Sequence, residues 1–161
     1  AGAEYTFNCI DFSADNSMLT AGGLAYTEDG DLESRTFIWK ISAGAAKHIA
    51  TISAADQHRI AQRNDQQGNA EPGGITAIAF DDQQNNVITG GADSKVLLWQ
   101  MSDPDSGEVE SLGYLAELEG LSGDGFADPH DVAVTSLNVA SDGSLVSTDE
   151  DGFIVIWPAG R

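Results

Sequence analysis

The sequence predicts an all-β fold built from three similar antiparallel sheets. The first observation is a repeat, in which a short alternating strand, a polar turn and a second strand recur at 7–23, 75–91 and 134–150. The second is that a third apolar strand follows each pair and ends in tryptophan, at Trp39, Trp99 and Trp157. The three tryptophans are therefore expected to have the same structural role.

The remaining elements follow in order along the chain. The turns between the first two strands are rich in residues that cap hairpins, at 14–17, 81–86 and 141–144. Third strands are predicted at 35–39, 95–99 and 153–157. Outer fourth strands fit at 48–53 and 114–119, reached through turns at 42–46 and 102–107. Residues 54–63 contain good helix formers and no Gly or Pro, so a short helix within 54–66 is a competing interpretation there.

The repeat resembles the WD40 repeat, whose blades are four-stranded antiparallel sheets around a central axis. The resemblance is carried by the tryptophans, by a small pair before the second turn and by an aspartate in that turn. The pairs are Gly22-Gly23, Gly90-Gly91 and Ser147-Thr148, and the aspartates are Asp93 and Asp151, with Glu33 at that position in the first repeat. The second letter of the WD dipeptide is missing, and no Gly-His dipeptide precedes a repeat. The Asp-His-Ser/Thr-Trp network of the family is therefore not expected to carry over whole.

The resemblance implies a ring that three blades leave incomplete. The blades are predicted at 7–53, 75–119 and 134–157, and the third lacks an outer strand. Closed propellers typically have 4 to 8 blades. In this family the last blade is commonly closed by a strand from the start of the domain, so a chain that stops after its third strand resembles the C-terminal end of a propeller. Another chain, another segment or a second copy is expected to supply the other blades.

The charge excludes two classes of partner. The chain has 26 acidic and 7 basic residues, a net charge of −19. Such a field repels phosphate backbones and anionic lipid headgroups, and no apolar stretch approaches the roughly 20 residues that cross a bilayer. Neither nucleic-acid binding nor membrane insertion is expected. The single cysteine, Cys9, allows no internal disulfide and is predicted to be a small core residue.

The residues in excess of the repeat fall in three insertions, at 24–34, 54–74 and 120–133. Connections in an antiparallel meander alternate between the two ends of a sheet, so all three insertions are expected on one face. Long loops on a rigid scaffold commonly carry binding residues, and the acidic ones favour a basic protein partner. The candidate binding residues are Glu28, Asp29, Asp31, Glu33, Arg59, Arg63, Asp124, Phe126, Asp128, His130 and Asp131.

Enzyme chemistry has little support in the sequence. The three histidines match neither an H-E-x-x-H pattern nor a Cys-His zinc cluster, and no Gly-x-Ser-x-Gly motif is present. Residues 103–110 have some character of a calcium loop but fit a hairpin turn better. We therefore expect a non-enzymatic scaffold that binds proteins within a multi-subunit assembly and needs no cofactor or metal. The alternatives are the propeller portion of a multidomain enzyme and a calcium-binding module.

Overall fold

The computed structural model describes residues 5–26, 32–52, 61–64, 70–103, 108–114 and 130–159. Within these ranges every regular element is a β-strand. The strands form three antiparallel sheets of three or four strands and a short hairpin. The predicted all-β class with three blades is confirmed, and the three sheets do not close into a ring.

Blade one is a four-stranded sheet in which the strands pair in chain order. Its strands are β1 (Tyr5–Phe12), β2 (Met18–Tyr26), β3 (Leu32–Ser42) and β4 (Ala45–Ile52). β2 and β3 pair without interruption from Met18↔Lys40 to Tyr26↔Leu32. Both ends of the predicted insertion 24–34 are therefore strand, and 27–31 lies outside the described residues.

A two-stranded hairpin follows, formed by β5 (Ala61–Asn64) and β6 (Ala70–Gly73). The helix considered for 54–66 is therefore wrong over its last turn, and 53–60 lies outside the described residues. Helix propensity is a weak preference that long-range pairing can override. Here the two strands of the hairpin pair from Ala61↔Gly73 to Asn64↔Ala70, and this pairing favours the extended conformation over the helix.

Blade two is again four-stranded and blade three is three-stranded, each in consecutive order. The strands of blade two are β7 (Ile75–Asp81), β8 (Asn86–Gly91), β9 (Val96–Asp103) and β10 (Glu108–Tyr114). Those of blade three are β11 (Val134–Val139), β12 (Leu145–Asp149) and β13 (Ile154–Trp157). The outer strand of blade two thus starts earlier than the predicted 114–119, because β9 runs past Trp99 to Asp103 and pairs there with Glu108.

The core lies between the sheets, in two clusters. The first joins blades one and two and includes Ile38 and Ile52 from one side and Phe80 and Trp99 from the other. The second joins blades two and three and contains Ala77, Ala79, Ile88, Leu98, Val134, Leu137, Leu145 and Trp157. Each sheet therefore buries apolar residues on the faces that it turns towards a neighbouring sheet.

The turns between the first two strands of the three blades lie side by side. The Ala14 amide donates to both carboxylate oxygens of Asp82, at 3.1 and 3.0 Å, and Gln83 Nε2 donates to the Ser141 carbonyl at 2.8 Å. We call this end of the sheets the turn face. Because connections alternate between the two ends of a meander, those after each second strand leave from the opposite end, which we call the loop face.

Candidate interaction surface and the network beneath it

Four side chains of blade three form a buried hydrogen-bonded chain that runs from Trp157, near the turn-face end of β13, to Asp149 at the loop-face end of β12. Trp157 Nε1 donates to Ser147 Oγ at 2.9 Å, and Ser147 Oγ lies 2.7 Å from His130 Nε2. His130 Nδ1 lies 2.8 Å from Asp149 Oδ2. His130 is 1% exposed and Trp157 0%. The chain ties the residues just before β11 to β12 and β13.

The partners assign the proton on the histidine ring. A carboxylate only accepts hydrogen bonds, so His130 Nδ1 donates to Asp149. In the neutral imidazole Nε2 then accepts from the Ser147 hydroxyl, which itself accepts from Trp157. Every polar atom of this buried chain is thereby satisfied, which avoids the cost of burying an unpaired polar group.

Asp149 also holds the turn that leads into β13. Its Oδ1 accepts the backbone amides of Phe153 at 2.9 Å and Asp151 at 3.1 Å. Gly152 lies in this turn at φ 85°, in the left-handed region that glycine enters without strain. One carboxylate therefore fixes both the turn and the histidine at the start of the blade.

This arrangement corrects two expectations. The repeat pattern pointed to Asp151 as the aspartate of blade three, but the four-membered network of this blade uses Asp149, while Asp151 lies exposed. His130 was predicted to be a binding residue of the loop face, but it is buried. The absence of a Gly-His dipeptide was misleading, because the His130 imidazole can join the network from any loop position that lets it reach the second strand.

The strand pairing also corrects the alignment of the repeats. Leu19, Val87 and Leu145 each pair with the tryptophan of their blade. Counting from these pairs, Thr148 is equivalent to Gly90 and Gly22. The alignment of the small residue pairs had instead matched Thr148 with the second glycine of each pair. The slip arises because the first turn of blade three is one residue shorter than the other two.

The hydrogen-bonded network loses members from blade three to blade one. In blade two Trp99 Nε1 donates to Thr89 Oγ1 at 2.9 Å, but Gly91 stands at the position of Asp149. In blade one Ala21 and Gly23 occupy the hydroxyl and carboxylate positions. The three tryptophans therefore do not share one role, and Trp39, unlike the other two, is only half-buried.

The ionisation of Asp149 couples this network to pH. Burial acts to raise the pKa of its carboxyl, but the hydrogen bonds from His130 and from the amides of Phe153 and Asp151 outweigh it, with attraction to His130 added when that ring is protonated, so the pKa lies below its ordinary value. A carboxyl whose pKa is lower in the folded state stabilises above its unfolded pKa, near 4, and this contribution is lost as the pH falls.

We therefore expect the stability difference between the wild type and Asp149→Asn to shrink as the pH is lowered from about 6 to about 3. Urea unfolding at a series of pH values measures it. Asp131→Asn is the matched control, because Asp131 is exposed beside the same network. Parallel pH profiles for the wild type and Asp149→Asn would contradict the expectation.

Side-chain hydrogen bonds between the first strands of successive blades connect the blades. Each first strand contains one extra residue at the same place, at Asn8, Thr76 and Thr135. Asn8 Nδ2 donates to the Ile75 carbonyl at 3.0 Å, and Thr76 Oγ1 donates to the Val134 carbonyl at 2.5 Å. The same device therefore joins blade one to two and blade two to three.

The structure places only some of the candidate binding residues. Glu33 lies in β3 and forms an ion pair with Arg35, Asp131 is exposed before β11, and Arg63 lies in β5. Asp93 is in the turn before β9, where its Oδ1 accepts the Lys95 amide at 3.4 Å. The others lie outside the described residues: Glu28, Asp29, Asp31, Arg59, Asp124, Phe126 and Asp128. A binding role for these loops stays a prediction.

The inner strands of the three blades border an open groove of about 510 Å³. Its acidic groups are engaged within the fold, since Asp11 Oδ2 accepts the Phe80 amide at 2.9 Å and Asp82 accepts that of Ala14. Cys9 also borders the groove, and burial raises the pKa of its thiol to about 12. Among the described residues, no group of three or more His, Cys, Asp or Glu side chains could hold a metal ion.

Comparison with known proteins gives one family. The family model described as "WD domain, G-beta repeat" matches residues 64–100 and 126–158. A search of curated proteins finds no match. Over the ranges that the structure describes, no helix is long and apolar enough to cross a membrane.

Solved structures of larger proteins superpose on nearly the whole chain. A chain of the COPII outer coat vertex on membranes does so with a TM-score of 0.60 at 15% identity, covering 96% of this chain and 33% of that one. A chain of the COPII coat assembled on membranes gives the same score and identity over 18% of its length. The WD40 β-propeller domain of Doa1 gives 0.54 at 16% identity, with 98% of this chain and 38% of that one covered.

The fold is thus that of β-propeller blades, and the chain spans well under half of the length of each of these three structures. The two matched segments and the buried network agree with this family. Blades two and three therefore match the WD40-repeat family in sequence, and the chain has the fold of WD40 propeller blades.

Proposed function

We propose that this chain is a protein-interaction scaffold in a multi-subunit assembly. Its three blades would be part of a larger ring, and the loops of its loop face would bind a partner. The observation that carries the proposal is the buried network, because it fixes the bases of two loop-face connections of blade three on a rigid sheet. Two of the matched structures are coat assemblies, which supports a role of this kind.

The charge supports a partner with lysine or arginine side chains. The chain carries a net charge of −19, and the predicted loop-face insertions contain acidic clusters. Long-range attraction to a basic surface speeds association and is screened by salt. Binding by such a surface needs no catalytic group and no cofactor, which agrees with the absence of a catalytic motif in the sequence.

Zero-length cross-linking between carboxylates and lysines tests the proposal on complexes isolated from the source cells. We expect cross-links from Glu28, Asp29 and Asp31 to partner lysines, and recovery of the complex that falls steeply from about 0.05 to about 0.5 M salt. The variant with Gln or Asn at these three positions is expected to lose the partner.

The matched control neutralises two carboxylates of the turn face, Asp15→Asn and Asp142→Asn. Each carboxylate accepts the amide two residues on, and asparagine can keep that bond. This control is expected to bind like the wild type. Cross-links confined to the turn face, or recovery that salt does not change, would contradict the proposal.

A further inference from the structure

Blade one presents an aromatic face on the side away from blade two. The rings of Tyr5, Phe7, Phe37, Trp39 and His48 contact one another there, with centroids 5.1 to 6.4 Å apart. Tyr5 is 42% exposed and Phe7 48%. Along the same strands Ile10 and Phe12 are also exposed.

The positions of these residues show what kind of surface this is. Trp39 is equivalent to Trp99 and Trp157, which pack against the preceding blade. Phe7 pairs with Gly23 as Ile75 pairs with Gly91 and Val134 with Asp149. The aromatic face is therefore the one that each blade turns towards its predecessor.

The two blade interfaces of this chain show what a predecessor offers at that contact. A Cβ atom built on Gly22 would lie 2.6 Å from Ile75 Cγ2, and one built on Gly90 would lie 2.5 Å from Val134 Cγ1. Both distances are too short for a side chain. Beside each glycine, Asn8 or Thr76 donates to the main-chain carbonyl of the same incoming residue.

The free face of blade three lacks both the glycine and a bulge side chain that is available to donate. Thr148 stands at the position of Gly22 and Gly90, where its Cβ would meet the incoming residue. Thr135, the equivalent of Asn8 and Thr76, bonds to Thr148, with 2.9 Å between the two hydroxyl oxygens. Since Phe7 is larger than Ile75 and Val134, the clash would be worse with blade one of a second copy.

We propose that the aromatic face of blade one docks a WD40-type blade with two properties. That blade has glycine at the position of Gly22 and Gly90, and a bulge side chain such as Asn or Thr that donates to the Phe7 carbonyl. Thr148 prevents blade three of a second copy from taking this place, so the chain does not close a ring with itself. The inference rests on the proposed larger ring and names the kind of blade that continues it.

Sedimentation equilibrium of the whole chain and its variants tests the proposal. We expect the wild type to stay monomeric up to roughly 100 µM and Thr148→Gly to self-associate head to tail, with at least about tenfold higher affinity. Thr148→Ser is the control, because it loses the methyl group but keeps Cβ. Adding Trp39→Lys to Thr148→Gly is expected to restore the monomer.

Two outcomes would overturn the inference: a wild type that self-associates through Trp39, or a Thr148→Gly variant that associates no more strongly than Thr148→Ser. Circular dichroism of each variant confirms that the sheets are intact. The cross-linking experiment reads only loop and turn carboxylates, so a failure here leaves the proposed scaffold role standing, and the reverse also holds.

Discussion

Trp157→Ala is expected to lower the free energy of unfolding by about 3–5 kcal/mol. The indole is fully buried between blades two and three, in a cluster that includes Ala79 and Leu98, and it donates the first hydrogen bond of the buried network. Truncation leaves a cavity and also removes the donor to Ser147. Urea unfolding followed by circular dichroism measures the loss.

Trp39→Ala is the matched control within the same fold. Trp39 occupies the same strand position, but it is half-buried and Ala21 replaces the hydroxyl that Trp157 reaches in blade three. We expect it to cost only about 1–2 kcal/mol. Equal losses for Trp39 and Trp157 would show that blade one has a buried environment for its indole, contrary to the structure.

His130→Ala is expected to cost about 3 kcal/mol, because it leaves the Asp149 carboxylate and the Ser147 hydroxyl buried with one partner fewer each. The loss is expected even though the side chain belongs to no strand. Thermal or urea unfolding measures it. Asp131→Ala, one residue along the chain and exposed, is expected to change stability by no more than about 0.5 kcal/mol.

A double-mutant cycle separates the network from simple burial. His130→Ala and Ser147→Ala act on neighbouring members of one chain of bonds, so their effects are expected to deviate from additivity by more than about 0.5 kcal/mol. His130→Ala combined with Thr89→Ala, which removes the separate Trp99 bond of blade two, is expected to be additive. Additive losses in both pairs would mean that the four side chains do not act together.

Sequence reasoning found the sheets because their signal is local. Alternation of apolar residues, turn residues with Asn16 and Asn85 at positive φ, and the tryptophan that ends each third strand all lie within a few residues of one another. The outer strand of blade two was predicted too far along the chain, because no local sequence signal marks the end of β9. Pairing with Glu108 decides it.

The buried network was missed because its members are separated in sequence and joined only by packing. His130 lies 19 residues before Asp149, and its loop carries no pattern that distinguishes a buried imidazole from an exposed one. One signal was available: serine two residues before an aspartate, ten before the tryptophan, matches the Thr89–Trp99 spacing in blade two. The shorter turn of blade three hid that match.

The position of the core between the sheets has a consequence for synthesis. Ile38 and Ile52 of blade one are covered by Ile78, Phe80, Val87 and Trp99, all of which come later in the chain. A nascent chain that has exposed only blade one therefore has no complete apolar interior to bury. We therefore expect a pair of adjacent blades to be the smallest unit that folds during synthesis, with blade one folding only after blade two has emerged.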